Sequence, residues 1–213
     1  NRTDVTERFE GRAGVDVIDG RGGFDVASFS SAPAGVIANL VTGVVSNDGY
    51  GSTDTLSNIE GLFGSSFNDV LTGGNAANGV TLNDGLLEVF RGEGGNDTID
   101  GGQGFDRADY SSSTGGIFVT LNDTVDGTAN DGLGGADVLR NIEGVRGSGL
   151  NDNINGNSAN NVLEGMAGDD WIFGASGSDT LDGGAGFDRA NYTSLGVAIT
   201  VDMTAGTVVK VGG

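Results

Sequence analysis

Cysteine and histidine are both missing from the 213-residue sequence. The first absence excludes a disulfide framework and any thiolate site. The second excludes triads with a histidine base, and His-ligated zinc or haem, within the chain. Basic residues are scarce, 10 Lys+Arg against 30 Asp+Glu, giving a net charge of −20. Nucleic acid needs a basic face for its phosphates and is a poor partner at that charge, as is an anionic membrane surface. Proline and tryptophan occur once each, and no apolar run approaches the ~18 residues of a transmembrane segment. No basic-then-apolar leader opens the sequence, as expected of a chain that begins inside a longer protein.

Glycine is what the chain has in excess, 42 residues of it, with Asp and Asn abundant beside it. Glycine at that level without proline describes either a flexible linker or a fold built of tight turns. Periodicity separates the two. From Gly147 to Asn191 the sequence divides into five nine-residue units: GSGLNDNIN, GNSANNVLE, GMAGDDWIF, GASGSDTLD and GGAGFDRAN. The first position is always Gly, the sixth is Asp152, Asn161, Asp170, Asp179 and Asp188, and the eighth is Ile154, Leu163, Ile172, Leu181 and Ala190. The same frame fits 11–28, 64–72 and 92–109. A linker has no reason to place an aliphatic side chain every ninth residue. The glycines permit tight turns, and the last three residues of each unit alternate as a short strand with one inward side chain. One such strand cannot bury that side chain alone, so the units stack as a solenoid, two units to each coil.

These units resemble the RTX (repeats-in-toxin) nonapeptide G-G-x-G-x-D-x-U-x of secreted Gram-negative proteins. The resemblance implies an all-β, right-handed parallel β-roll (a β-solenoid) with Ca²⁺ held between stacked turns. It also implies export by type I secretion and an extracellular location.

A longer period, near ~81 residues, encloses the nonapeptides. GFDVASFSS, GFDRADYSS and GFDRANYTS begin at Gly23, Gly104 and Gly186, each followed by a β-rich spacer. NDGYGSTDTLSNIEG (47–61) returns as NDGLGGADVLRNIEG (130–144). The expected organisation is a block at 1–110 (nonapeptides 11–28 and 64–109, spacer 29–63). A second block at 111–213 holds a spacer, nonapeptides 147–191 and the start of a third spacer. Ending on GTVVKVGG suggests a fragment of a longer array. Residues 79–86 are expected to form a protruding loop, and the closely spaced Leu139, Ile142 and Val145 a tighter corner than nine-residue coiling gives.

Calcium takes six to eight oxygens from carboxylates and carbonyls, which a Gly- and Asp-rich turn supplies, whereas softer metals lack nitrogen or sulfur ligands here. Position-six side chains two units apart share one side of the roll. That count stacks Asp152, Asp170 and Asp188 into one ladder, with Glu143, Asn161 and Asp179 opposite. By the resemblance, the carbonyls of Gly165, Ala167, Gly183 and Ala185 complete the sites. In the preceding block the same count stacks Asp69, Glu88 and Asp106 on one side, with Asn78 and Asp97 on the other. Near the N-terminus Asp16 and Asp25 have fewer partners, with Glu7 below Asp25. The plainer reading of any single Asp is a turn cap; a ladder of like charges with nothing basic beside it favours a cation.

Ile154, Leu163, Ile172 and Leu181 read as core. Trp171 faces outward, as a contact surface or against a spacer. Phe24, Phe105 and Phe187, with Phe29, Tyr110 and Tyr192 five residues on, read as anchors joining each spacer to the roll, or as an aromatic platform for sugars. Regularly placed carboxylates are occupied by turns, Lys210 is the one lysine, and Arg107 and Arg189 recur as part of the repeat. The chain therefore reads as non-catalytic in itself. The alternatives to a calcium-dependent secretion module are an adhesin or carbohydrate-binding array that meets an extracellular glycan or cell surface, an inert stalk, or an accessory module of a polysaccharide-modifying enzyme.

Overall fold

The computed structural model describes residues 6–74, 87–193, 198–202 and 207–211. The chain is all-β: among the described residues there are 22 strands and no helix, hence none long and apolar enough to cross a membrane. The expected loop at 79–86 lies outside the described residues.

Just over half of the strands are three residues long, most of these with the middle residue buried, as in Asn153–Asn155, Val162–Glu164 and Trp171–Phe173. Successive units alternate between two sheets. Eight strands form one sheet, from Glu7–Phe9 to Thr180–Asp182, with every pairing parallel. Its inward column runs Ala27, Leu62, Phe90, Ala108, Val145 and Leu163, each fully buried. Twelve strands form the other sheet, whose inward side chains include Ile18, Leu56, Leu71, Ile99, Leu139, Ile154 and Ile172. The two columns meet in one core. Removing a Leu or Ile side chain from water contributes about 1.5–3 kcal/mol, so a unit is stable only when its neighbours cover it. The architecture is that of a β-roll.

The spacers enter the twelve-stranded sheet as antiparallel triplets. Ile37–Asn39, Val44–Asn47 and Asp54–Ser57 pair antiparallel with one another, while the outer two pair parallel with Val70–Thr72 and Val17–Asp19. Phe118–Thr120, Gly127–Asn130 and Ala136–Arg140 repeat this between Asn153–Asn155 and Thr98–Asp100. An odd number of strands restores the parallel direction, so the roll continues past each insertion. The chain then returns to the eight-stranded sheet through a three-residue corner. Asn58 and Asn141 take left-handed backbone there, φ 53° and 50°, a conformation Asn tolerates better than most residues. Their side-chain amides donate to Asp19 Oδ1 and Asp100 Oδ1, both at 2.7 Å.

Phe29 and Tyr110 are buried in the core at the start of each triplet. Their third counterpart, Tyr192, is half-buried, and of the other set Phe24 and Phe105 are half-buried while Phe187 is 68% exposed. Trp171 faces outward, with the Arg189 guanidinium 5.9 Å from its ring centre.

Candidate metal centre

Position six of each unit lies where a glycine turn enters a strand, so stacking of the sheets stacks these side chains. Along the eight-stranded sheet the column is Glu7, Asp25, Glu60, Glu88, Asp106, Glu143, Asn161 and Asp179. The Glu7 N–H donates to Asp25 Oδ1 at 3.1 Å, Asp25 N–H to Glu60 Oε2 at 2.8 Å and Asp106 N–H to Glu143 Oε2 at 3.0 Å. Along the twelve-stranded sheet three shorter ladders form. Asp16 N–H donates to Asp54 Oδ1 at 2.9 Å. Asp69 N–H donates to Asp97 Oδ1 at 2.8 Å, and Asp97 N–H to Asp137 Oδ1 at 3.1 Å. Asp152 N–H donates to Asp170 Oδ1 at 2.8 Å and Asp170 N–H to Asp188 Oδ1 at 3.0 Å.

The ladder 152–170–188 and the opposite rungs 143–161–179 are as the spacing predicts, and Glu7 does sit beside Asp25. One expectation is corrected. Asp69 does not stack with Glu88 and Asp106; its strand pairs with that of Asp97, while Asp106 pairs with Glu88. The reason is the irregular stretch after Gly73. The step from Asp69 to Asp97 is 28 residues, against 18 residues from Asp152 to Asp170, so counting by nines assigns Asp69 to the wrong sheet. Asn78 lies outside the described residues.

Three acids that counting overlooked are buried rungs: Asp54, Asp137 and Glu60. A signal for the first two was present. GYGSTDTLS (49–57) and GLGGADVLR (132–140) keep Gly at positions one and three, Asp at six and Leu at eight. Six residues after each Asp, rather than nine, comes Glu60 or Glu143, whose longer side chain reaches the place an Asp takes in a full-length unit.

Most rungs, Asp152 and Asp170 among them, are packed against a glycine. A methyl group built on Gly147 would lie 2.2 Å from Asp152 Oδ2 and 2.7 Å from the Gly165 carbonyl oxygen. On Gly165 it would lie 2.2 Å from Asp170 Oδ2 and 2.8 Å from the Gly183 carbonyl oxygen. Carboxylate and carbonyl of successive coils thus face the same small space. Ala167 and Ala185 stack as a parallel bridge, and the Ala185 carbonyl accepts the Gly168 N–H at 2.9 Å.

The rungs differ in how their oxygens are satisfied. Asp69 and Asp152 are capped by serine: Ser65 and Ser148 each donate N–H and hydroxyl to the carboxylate. Asn161 accepts the Asn157 N–H and donates to the Glu143 carbonyl. By contrast Oδ2 of Asp16, Asp25, Asp54, Asp97 and Asp170, and both oxygens of Asp106, are buried without a donor. Burial lifts Asp25, Asp54, Asp97, Asp106 and Asp170. Asp97 and Asp106 are pushed up to about 8, chiefly by desolvation and further by Asp137 for the first and Glu88 and Glu143 for the second. Glu60 and Asp137 rise to about 7 for the same first reason. Asp170 is raised by burial and by Asp152 and Asp188.

A buried carboxylate without a donor is costly, and a hard cation relieves it. Among the described residues no three acidic side chains converge on one point. A cation here would therefore combine one or two carboxylates with backbone carbonyls, a donor set suited to calcium and unsuited to softer metals.

No curated protein matches the chain. A family model described as HemolysinCabind, RTX calcium-binding nonapeptide repeat (4 copies), matches residues 7–27, 62–85, 89–108, 146–181 and 155–190, just over half of the sequence. The matched segments carry most of the position-six ladders, and the chain belongs to the RTX calcium-binding nonapeptide repeat family.

Proposed function

We propose that this protein is a calcium-binding module of a type I-secreted extracellular protein, one that folds when it meets calcium outside the cell. The fold is read as a right-handed roll built from super-repeats of ~81 residues, in the two blocks 1–110 and 111–213. The proposed ligands are Asp16, Asp25, Asp69, Asp97, Asp106, Asp152, Asp170, Asp179, Asp188 and Asn161, with the carbonyls of Gly165, Ala167, Gly183 and Ala185. When bound, calcium supplies charge neutralisation, and the residues themselves hold the turns in register. The module is non-catalytic in this reading, its role being to fold and to present whatever it is joined to.

The observation that carries this reading is the row of buried, donor-free carboxylate oxygens, of which Asp170 Oδ2 beside the Gly183 carbonyl is the plainest. Circular dichroism in chelator and in millimolar calcium tests it. A β-spectrum that appears only with calcium is expected; the same spectrum in both overturns the reading.

A glycan- or surface-binding array is the second reading. It is favoured by Trp171 and Phe187, both exposed, with Arg189 over the two rings at 5.9 and 5.5 Å. A glycan array probed with calcium-loaded protein and with Trp171→Ala tests it, and binding unaffected by the substitution counts against it.

A further inference from the structure

The outward face of the twelve-stranded sheet carries a row of side chains that the core does not explain. Phe118 pairs with Asn153, Asn153 with Trp171 and Trp171 with Arg189, on four neighbouring strands. The next residues, Val119, Ile154 and Ile172, are buried in the core, so the row points away from it. Phe118 is 50% exposed, and Trp171, the one tryptophan of the chain, 41%.

The fold does not ask for these rings. Aromatic side chains stabilise a sheet when they stand directly opposite each other on adjacent strands, and here Asn153 separates them. The first spacer follows the same plan with Ile37 opposite Val70, where the second has Phe118 opposite Asn153. Two strands at ordinary spacing set the Phe118 and Trp171 positions about 9–10 Å apart. Between them, Asn153 Oδ1 accepts the Asn155 amide at 2.9 Å, and among the described residues its own NH₂ has no acceptor. Arg189 closes the row. Its guanidinium lies 5.9 Å from the Trp171 ring centre and 5.5 Å from that of Phe187, a contact that steadies the tryptophan plane. Among the described residues it joins no ion pair, although the chain has 30 acids to 10 bases.

Flat rings alternating with amide and guanidinium donors match a sugar chain, whose units have an apolar face and a rim of hydroxyls. Alternate units of a β-1,4-linked hexose chain turn the same face to one side, at a repeat close to the separation of the two rings. A net charge of −20, with one arginine in the row, works against a polyanionic chain. The matching ligand is a neutral one.

We propose that Phe118, Asn153, Trp171 and Arg189 form a strip that binds an extended neutral β-1,4-linked glycan lying across the strands, along the axis of the roll. The strip rests on the glycan-binding reading of Trp171 given above and deepens it: the contact spans several sugars and takes in Phe118, two strands away.

Trp171 reports on its own site, since its fluorescence is the only tryptophan signal. Cellobiose and cellohexaose are titrated against it in calcium. The hexaose is expected to bind about tenfold or more tightly, because its second ring contact forms within the complex. Phe118→Ile, which installs the residue of the first spacer, should abolish that advantage and leave cellobiose binding unchanged. Equal affinities for the two sugars in wild type, or an advantage that survives Phe118→Ile, overturns the strip and leaves a local glycan site at Trp171 standing. A glycan-array signal for acidic chains alone, without a cellohexaose response, likewise overturns the strip and not the broader reading. No response to any glycan overturns both.

Discussion

Asp152 and Asp170 lie 18 residues apart in the chain and one coil apart in space, with the Asp152 N–H donating to Asp170 Oδ1 at 2.8 Å. That bond fixes which way the Asp170 carboxylate points. Oδ1 looks back to the preceding coil, and Oδ2 is left beside the Gly183 carbonyl without a donor. The backbone that builds the roll thus also aims the ligand.

Asp170→Ala is accordingly expected to weaken calcium binding more than Asn161→Ala. Asp170 is charged and adjoins both Asp152 and Asp188, whereas Asn161 already satisfies its amide, accepting from Asn157 in its own turn and donating to the Glu143 carbonyl of the neighbouring coil. Calorimetric titration of the two variants checks this, and equal losses would contradict it.

The pH dependence of the metal-free chain follows from the raised acids. Asp97 and Asp106 move from an ordinary 3.8 to about 8, and Asp137 to about 7, mainly through burial. Between those limits the folded state binds more protons than the unfolded one, so its stability falls as pH rises. In chelator the chain, unfolded at pH 8, is therefore expected to gain β-structure as the pH falls to 5. With calcium present the order should reverse, because protons compete for the same oxygens. Circular dichroism at the two pH values, in chelator and in calcium, decides it.

Leu163 is fully buried between Val145 and Leu181 in its column. Leu163→Ala is expected to cost about 2–5 kcal/mol while leaving the ladders untouched. Since folding and binding are linked, that loss should appear as a higher calcium concentration at the folding midpoint, with the number of ions bound unchanged. A midpoint that does not move would mean that the aliphatic column contributes nothing to the coupled transition.

The strictly periodic part of this architecture was legible in the sequence. Rungs 152, 170 and 188, the core residues Ile154, Leu163 and Ile172, and the burial of Phe29 and Tyr110 all follow from spacing. The spacers were not legible, because their strands pair antiparallel and their corners drop three residues, so a nine-residue count loses the sheet. Asp69 was assigned to the wrong ladder for a related reason, the irregular stretch after Gly73. Asp54 and Asp137 were overlooked even though GYGSTDTLS and GLGGADVLR keep most of the nonapeptide pattern. Whether an Asp is capped by serine, as Asp69 and Asp152 are, or left donor-free, as Asp106 is, depends on the neighbour that the turn brings round. The position-six letter is the same in each case.

Where the chain folds follows from mass action. A ligand that binds only the folded state stabilises it by RT ln(1 + [L]/Kd). Extracellular calcium modules have Kd values of about 10⁻⁴–10⁻³ M. At calcium ten times Kd each site contributes about 1.4 kcal/mol, so several sites together exceed the ~5 kcal/mol by which a small domain is typically stable. At cytosolic calcium, far below Kd, the same contribution is close to zero. What remains is a chain of net charge −20 with its acids stacked in ladders, and such a chain is expected to stay unfolded until it reaches calcium outside the cell. The lack of cysteine suits that route, since no oxidative step has to accompany folding. Hydrogen exchange at submicromolar and at millimolar calcium reads the difference directly. The amides of Leu71, Ile99 and Leu163 should be protected only at the higher concentration, and equal protection at both would sink the idea.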